Sequence, residues 1–391
     1  MSDLYVVDAL RTPFGSFGGA LADIEAPRLA SAVMKGLLVK HGLAAEAVDE
    51  VIVGQVLSGG CGQAPARQAM RAAGIPDSTP AMTINKVCGS GLKAIMLGAG
   101  SLRLGDACLV MAGGMESMSL APYLLKKART GYRMGHGEIF DLMIHDGLQD
   151  PYTGRHMGEI GEESAARNHL SREVQDDYAL RSYRLAQAAA TDGTLAAEIV
   201  PVVRKGKKSE ETIAVDEEPF KVDLARLPQL RPVFRADGTI TAGNASTIND
   251  GAALALLADA AGLKKHNLAP RARIVAVATT SRHPDYFPEA PVGAIEKVCA
   301  AAGVPVSAID LFEINEAFAS VPLIAIKEHR LDPDKVNVNG GACAIGHPIG
   351  ASGARLAATV IRELHRRKVR YGLATLCIGG GEAVAVIFER V

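Results

Sequence analysis

Two stretches of this chain repeat each other, and that constrains the fold more than any other feature. Residues 106–117, DACLVMAGGMES, align with residues 371–383, YGLATLCIGGGEA. Each reads as an apolar strand that breaks into a glycine-rich turn before a glutamate. The strand–glycine–helix unit around Cys88 likewise matches the one around His347. One α/β unit is therefore present twice, and a duplicated unit usually places its active site between the copies.

Strand and helix alternate around that repeat. Strands are expected over 4–10, 51–57 and 107–113, and helices over 27–41, 64–73 and 92–104. The second half reads as strand 273–278, helix 290–302, strand 308–313, helix 316–328, a short strand 337–339 and a last strand through 372–391. This alternation predicts a largely parallel sheet covered by helices on both faces. From about 119 to 246 the texture shifts to longer loops and more charge, with helices over 155–168 and 172–192 and Ser171 as N-cap of the second. That segment reads as an inserted lid, and its lysine-rich turn at 205–208 as a solvated loop. From Thr247 the apolar run INDGAALALLADAA reads as a helix returning to the first core. The expected domains are 1–118 completed by 247–269, the insertion 119–246, and 270–391.

Bulk properties remove several function classes. A length of 391 residues exceeds what one ordinary core fills. A formal net charge of −1 gives no reason to expect nucleic acid or an anionic membrane surface as partner. No apolar run reaches membrane-spanning length, and the N-terminus lacks the basic and apolar regions of a signal peptide. Six cysteines at 61, 88, 108, 299, 343 and 377 form neither a disulfide framework nor a CxxC metal pattern. No metal site and a reduced, cytoplasmic setting are the expectations that follow.

Three short patterns carry chemistry. In TINKVCGSGL, Cys88 sits where a strand turns into a helix, a position whose dipole favours thiolate, and the small residues after it free N–H groups for an oxyanion. His347 lies in GHPIG, in a turn fixed by glycine and proline at the mouth of the matching helix. Brought together, the two would form a thiolate–imidazolium pair. Cys377, in CIGGG, is a second sulfur at a strand end beside exposed N–H groups. Each alone also suits a packing or capping role, and their recurrence at matching ends of a duplicated unit points to a site.

The motifs NKVCGSGLKA, MAGGMESMS, HMG, TAGNAS, NDGAA, NEAFA, NGGACAIGHPIGASGAR and CIGGG, in this order, resemble those of the thiolases from end to end. The resemblance implies duplicated βαβαβαββ units in a five-layered αβαβα fold, a loop domain inserted in the first half, and homodimers or homotetramers. It implies reversible thiolysis and Claisen condensation through an acyl-cysteine, with acyl-CoA and coenzyme A as substrates and no cofactor. Residue by residue, Cys88 would be the nucleophile, His347 its activator and later a polariser of a thioester carbonyl, and Cys377 the acid/base at the α-carbon. Asn315 would orient a water completing one oxyanion hole with His347, or else cap the next helix. The N–H groups of Cys88 and Gly379 would form the other hole.

For substrate binding the same resemblance implies Leu148, His156 and Met157 along the pantetheine tunnel, Ser246 on coenzyme A, and Ala317 and Phe318 of NEAFA nearby. Lys221 would sit by the adenine nucleotide or be an ordinary surface lysine. HPDYFPEAP departs from the Met- and Gly-containing loop of related short-chain enzymes, and Phe287 in it would wall a short acyl pocket. The expected reaction is condensation of two acetyl-CoA to acetoacetyl-CoA. The alternatives are a longer-chain 3-ketoacyl-CoA thiolase and an inactive acyl-CoA binding protein.

Overall fold

The computed structural model of the chain describes residues 3–205 and 209–391, so most of the lysine-rich turn lies outside the described residues. The first copy runs β1 (Leu4–Arg11), α1 (Ala26–His41), β2 (Glu50–Gly54), α2 (Pro65–Ala73), β3 (Ala81–Ile84), α3 (Ser90–Leu104) and β4 (Leu109–Ser117). The inserted segment carries α4 (Met157–Arg167) and α5 (Arg172–Thr191), and β5 (Asn249–Asp259) closes the copy. The second copy runs β6 (Ala272–Ser281), α6 (Ala290–Ala302), β7 (Leu311–Ile314), α7 (Ser320–His329), α8 (Ser352–Arg367), β8 (Tyr371–Ile378) and β9 (Glu382–Arg390).

The strands follow the order β7-β8-β9-β6-β1-β5-β4-β2-β3. In the first copy β2 runs parallel to β3 and β4, while β5 lies antiparallel between β4 and β1. The second copy repeats this, with β7 parallel to β8 and β9 antiparallel between β8 and β6. Among the described residues the two half-sheets pair at Tyr5–Arg273 and Val6–Ala272, a narrow junction.

Helices fill three layers around these half-sheets. Leu29, Val33 and Met70 of α1 and α2 cover the outer face of the first, and Ala294, Val298 and Val321 of α6 and α7 that of the second. Leu92 and Ile95 of α3, with Leu356 and Val360 of α8, fill the space between and share one core with residues of both half-sheets. The fold is therefore a five-layered αβαβα arrangement. Each such fully buried aliphatic side chain stabilises it by about 1.5–3 kcal/mol. The starts of the central helices touch at glycines, because a Cβ on Gly91 would lie 2.8 Å from Gly350 O and one on Gly353 2.6 Å from Leu92 N. That contact brings the loops ahead of both helices together.

Six expectations about elements change. The sheet is not largely parallel: β2 with β3 and β4, and β7 with β8, run parallel, but β5 and β9 return antiparallel beside β1 and β6, and most neighbours pair antiparallel. Residues 249–259 form a strand, not a helix: β5 is buried nearly throughout between β1 and β4, so pairing overrides the helix propensity of its Ala and Leu residues. Gly113 and Gly114 make no turn and continue β4 to Ser117, where their lack of a side chain admits the neighbouring backbone. Residues 372–391 make two strands, since Gly380 and Gly381 adopt φ of +90° and +91° and reverse the chain. The helix expected from 316 begins at Ser320, placing Pro322 in the first turn, where its missing N–H costs nothing. Residues 337–339 contribute only isolated bridges.

Candidate active site

Cys88 lies on a strained elbow. Val87, ahead of it, adopts φ of +45°, rare for a β-branched residue and tolerated only where the surroundings hold it. Asn85 Oδ1 accepts the Val87 N–H at 2.9 Å, and Ser90 Oγ accepts the Lys86 N–H at 2.8 Å while donating to Val87 O at 2.7 Å. Lys86 also pairs with Glu382, tying the elbow to the residue just past CIGGG. The backbone N–H groups of Gly379 and of Cys88 itself lie near the Cys88 sulfur and favour its anion.

His347 is buried at the mouth of α8. Its Nδ1 lies 2.5 Å from Ser352 Oγ and its Nε2 3.5 Å from Asn315 Nδ2, while its backbone N–H donates to Asn249 Oδ1 at 3.0 Å. Gly346 precedes it at φ of +104°, and a Cβ there would strike the Asn249 side chain. Below this loop Glu116, buried at the end of β4, accepts N–H groups from Val56 at 3.0 Å, Leu57 at 3.0 Å and Gly350 at 2.9 Å. One carboxylate of the first copy thus clips the histidine loop of the second.

The electrostatics run against the expected ion pair. Burial pushes the Cys88 thiol up to about 11, against the two nearby N–H groups. Burial, with Arg355 close by, holds His347 down to about 3. Cys377 is raised well above the ordinary thiol value by burial and by the neighbouring Cys88. All three directions favour thiols and a neutral imidazole over an ion pair in the resting site. A helix N-terminus favours an anion by only about 0.3–2 kcal/mol, less than the desolvation of a buried charge.

A cavity of about 60 Å³ joins these groups, lined by Cys88, Gly147, Leu148, Met157, Ser246, Phe287, Ala317, Phe318, His347, Ile349, Cys377 and Gly379. Phe287 packs edge-on against Phe318, Phe318 against Phe234, and Phe234 stacks on His156, so four rings back one wall. Asn315 stands behind the cavity by His347 and caps no helix, since α7 starts after Ala319. His156 is absent from the lining and instead N-caps α4, its Nδ1 accepting the Gly158 N–H at 3.1 Å. Lys221 also stands apart, donating to Ser16 Oγ at 2.6 Å and pairing with Glu217 at 3.3 Å.

Gly147, Ile349, Glu116, Asn249 and Ser352 were not singled out from sequence. Two of them had a signal. Glu116 is the glutamate after the glycines of the first repeat, and Ser352 aligns with Ser90 when the repeat is carried into the helices.

Comparison with known proteins agrees with this geometry along the whole chain. Residues 4–261 match the family domain described as thiolase, N-terminal domain, and residues 268–390 that described as thiolase, C-terminal domain. An acetyl-CoA acetyltransferase of Pseudomonas aeruginosa is 49% identical over 392 residues, covering 100% of this chain and 100% of its own length. A mitochondrial acetyl-CoA acetyltransferase of Danio rerio is 46% identical over 100% of this chain and 92% of its own. The crystal structure of the Bacillus anthracis acetyl-CoA acetyltransferase is similar with a TM-score of 0.97 at 40% identity, over 100% of this chain and 99% of that one. Both copies match, and Cys88, His347 and Cys377 meet between them: this chain belongs to the thiolase family.

Proposed function

We propose that the chain is an acyltransferase that joins two acetyl-CoA molecules into acetoacetyl-CoA and free coenzyme A, and runs the same steps backwards as thiolysis. The observation carrying this is one small cavity holding two thiols, an imidazole and converging N–H groups. The names of the full-length relatives support the acetyl group as the unit transferred.

In the forward direction Cys88 Sγ attacks the thioester carbonyl as His347 Nε2 takes its proton. Negative charge on the carbonyl oxygen is held by the N–H groups of Cys88 and Gly379. The C–S bond to coenzyme A breaks, and Cys377, kept protonated by burial, gives its proton to the departing sulfur. The site then holds an acetyl-cysteine, an imidazolium and a Cys377 thiolate. The thiolate removes the α-proton of a second acetyl-CoA, while the imidazolium Nε2–H, with a water oriented by Asn315, stabilises the enolate oxygen. Carbon attacks the acetyl-cysteine, Cys88 leaves, and His347 returns the proton. One histidine thus serves as base in the first half and as donor in the second.

Pocket size decides the chain length. A cavity of about 60 Å³ is a few times the ~10–15 Å³ that one water needs, room for a few heavy atoms. Ser246, in the lining, would contact coenzyme A, Leu148 and Met157 the pantetheine arm, and His156 and Lys221 would act from outside the lining. Coenzyme A is substrate here, and no cofactor is needed. Six free thiols suit a reducing cytoplasm. The open sheet edge at β3, with Met82 exposed, suits a homo-oligomer.

Steady-state thiolysis of 3-ketoacyl-CoA across chain lengths tests the reading. Acetoacetyl-CoA should be cleaved, longer substrates should lose most of their rate, and Phe287→Ala should recover C6 or C8 substrates by about 10-fold or more. Comparable wild-type rates on long chains would reassign the chain to a broad-range thiolase, and no activity on any substrate would overturn the catalytic reading.

A further inference from the structure

We propose that Ser352 is a positioning residue for His347: its hydroxyl accepts the imidazole Nδ1–H and leaves Nε2 without a proton, beside Asn315 Nδ2 at 3.5 Å and facing the Cys88 cavity. This deepens the acyl-transfer reading and rests on it. The serine is buried at the first position of α8, with its Oγ 2.5 Å from His347 Nδ1 and 2.9 Å from Pro348 O. A hydroxyl has one proton. The Pro348 carbonyl can only accept, so both contacts are hydrogen bonds at once only when the hydroxyl donates to it and the lone pairs of Oγ take the ring N–H.

The other copy supplies an independent reading of the same position. Ser90 is the first residue of α3 as Ser352 is of α8, and each is followed by glycine. Ser90 donates to Val87 O at 2.7 Å and accepts the Lys86 N–H at 2.8 Å. A backbone N–H can only donate, so the acceptor role of Ser90 is unambiguous. In the second copy an imidazole N–H occupies the place of that backbone N–H. The duplicated serine does the same work on a different partner.

Chemistry explains why a hydroxyl suits this place. A carboxylate on Nδ1 would hold the imidazolium and retard its return of the proton. A neutral acceptor fixes ring and tautomer without doing so, and the bond survives when Nε2 gains a proton. Without it the ring can turn, and imidazole in water favours the Nε2–H form, which takes no proton from Cys88.

Uniform ¹⁵N-histidine labelling and kinetics on wild type, Ser352→Ala and Ser352→Thr decide the matter, with the His347 signals identified by their loss in His347→Asn. Wild type should show a protonated Nδ1 and a bare Nε2. Ser352→Ala should shift the ring toward Nε2–H and lower kcat for thiolysis by about 10–100-fold, with KM for acetoacetyl-CoA changed less than about threefold. Ser352→Thr, which keeps the hydroxyl, should return kcat to within about fivefold of wild type. An Nε2–H tautomer in wild type, an unchanged kcat in Ser352→Ala, or a folded Ser352→Thr as impaired as Ser352→Ala would each overturn the assignment. A wild type that turns over no 3-ketoacyl-CoA would sink the acyl-transfer reading instead, and the tautomer would still decide the role of Ser352.

Discussion

The two copies of the unit are nearly the same scaffold and differ where β4 joins β5 and β8 joins β9. In the first copy that connection is residues 118–248, the whole inserted segment. In the second it is the turn Gly379–Gly380–Gly381. One position in the topology thus yields a long inserted segment in one copy and, in the other, a tight turn whose Gly379 lines the cavity while the Gly381 N–H bonds back to Ile378 O at 3.2 Å. The loops ahead of the central helices diverge likewise. Cys88 stands two residues before its helix serine, so Ser90 braces the elbow backbone, whereas His347 stands five before Ser352 and its ring folds back onto the hydroxyl. Layers and register are kept in common, and the chemistry is divided between loops at one end.

The sharpest way to break that division is to remove each sulfur in turn. Cys88→Ala should lower kcat in both directions by about 10⁴-fold or more and leave no acyl-enzyme. Cys377→Ala should form acetyl-Cys88 more slowly, having lost the acid for the departing sulfur, but still reach it, as seen by intact-protein mass, and should lose exchange of the acetyl-CoA α-protons with deuterated water. If Cys377→Ala failed to acylate as completely as Cys88→Ala, the two sulfurs would not divide the half-reactions.

The clip between the copies should weigh next. Glu116→Ala leaves three buried N–H groups without an acceptor, so about 3–6 kcal/mol should be lost, read as a lower urea midpoint. In Glu116→Gln the amide oxygen can keep Val56 and Gly350 while the NH₂ faces the Leu57 N–H, and the loss should be about 1–3 kcal/mol. A midpoint unchanged in Glu116→Ala would mean that other contacts hold the histidine loop. Smaller again is Ser90→Ala, which strands the Lys86 N–H and should cost about 1–2 kcal/mol of stability. Its twin Ser352→Ala should act on turnover far more than on stability.

Much of this was legible because glycine marks its own positions. Cys88, His347 and Cys377 each sit against glycines whose conformation or close packing the backbone requires, and local rules find such places. Strand β5 was hidden because burial on both faces erases the period-2 pattern, leaving an Ala- and Leu-rich run that reads as helix. His156 was hidden differently: the sequence HMGE holds a capping box in which histidine stands where serine or threonine is usual. The buried network on Glu316, which accepts from Tyr178, Ser182 and Asn337, joins residues far apart in sequence, and no local pattern announces it.

The last prediction concerns how the two loops share a proton at rest. A thiolate–imidazolium pair would give Cys88 an alkylation rate nearly flat from mildly acid to mildly alkaline pH, because the thiolate is present throughout. The structure gives the opposite arrangement, with Cys88 pushed up to about 11 and His347 held down to about 3. A thiol whose value is raised stays protonated until the pH nears that value, and a depressed imidazole stays neutral above its own. Across pH 6–9 neither group changes its dominant form, and the small thiolate fraction should rise about tenfold per pH unit. Iodoacetamide labelling of Cys88, read by peptide mass, should climb with that slope. A plateau across this range would mean that the ion pair forms in the free enzyme. The second copy would then supply a charged partner at rest, where the buried geometry of His347 calls for a neutral one that takes the proton only when an acyl group arrives.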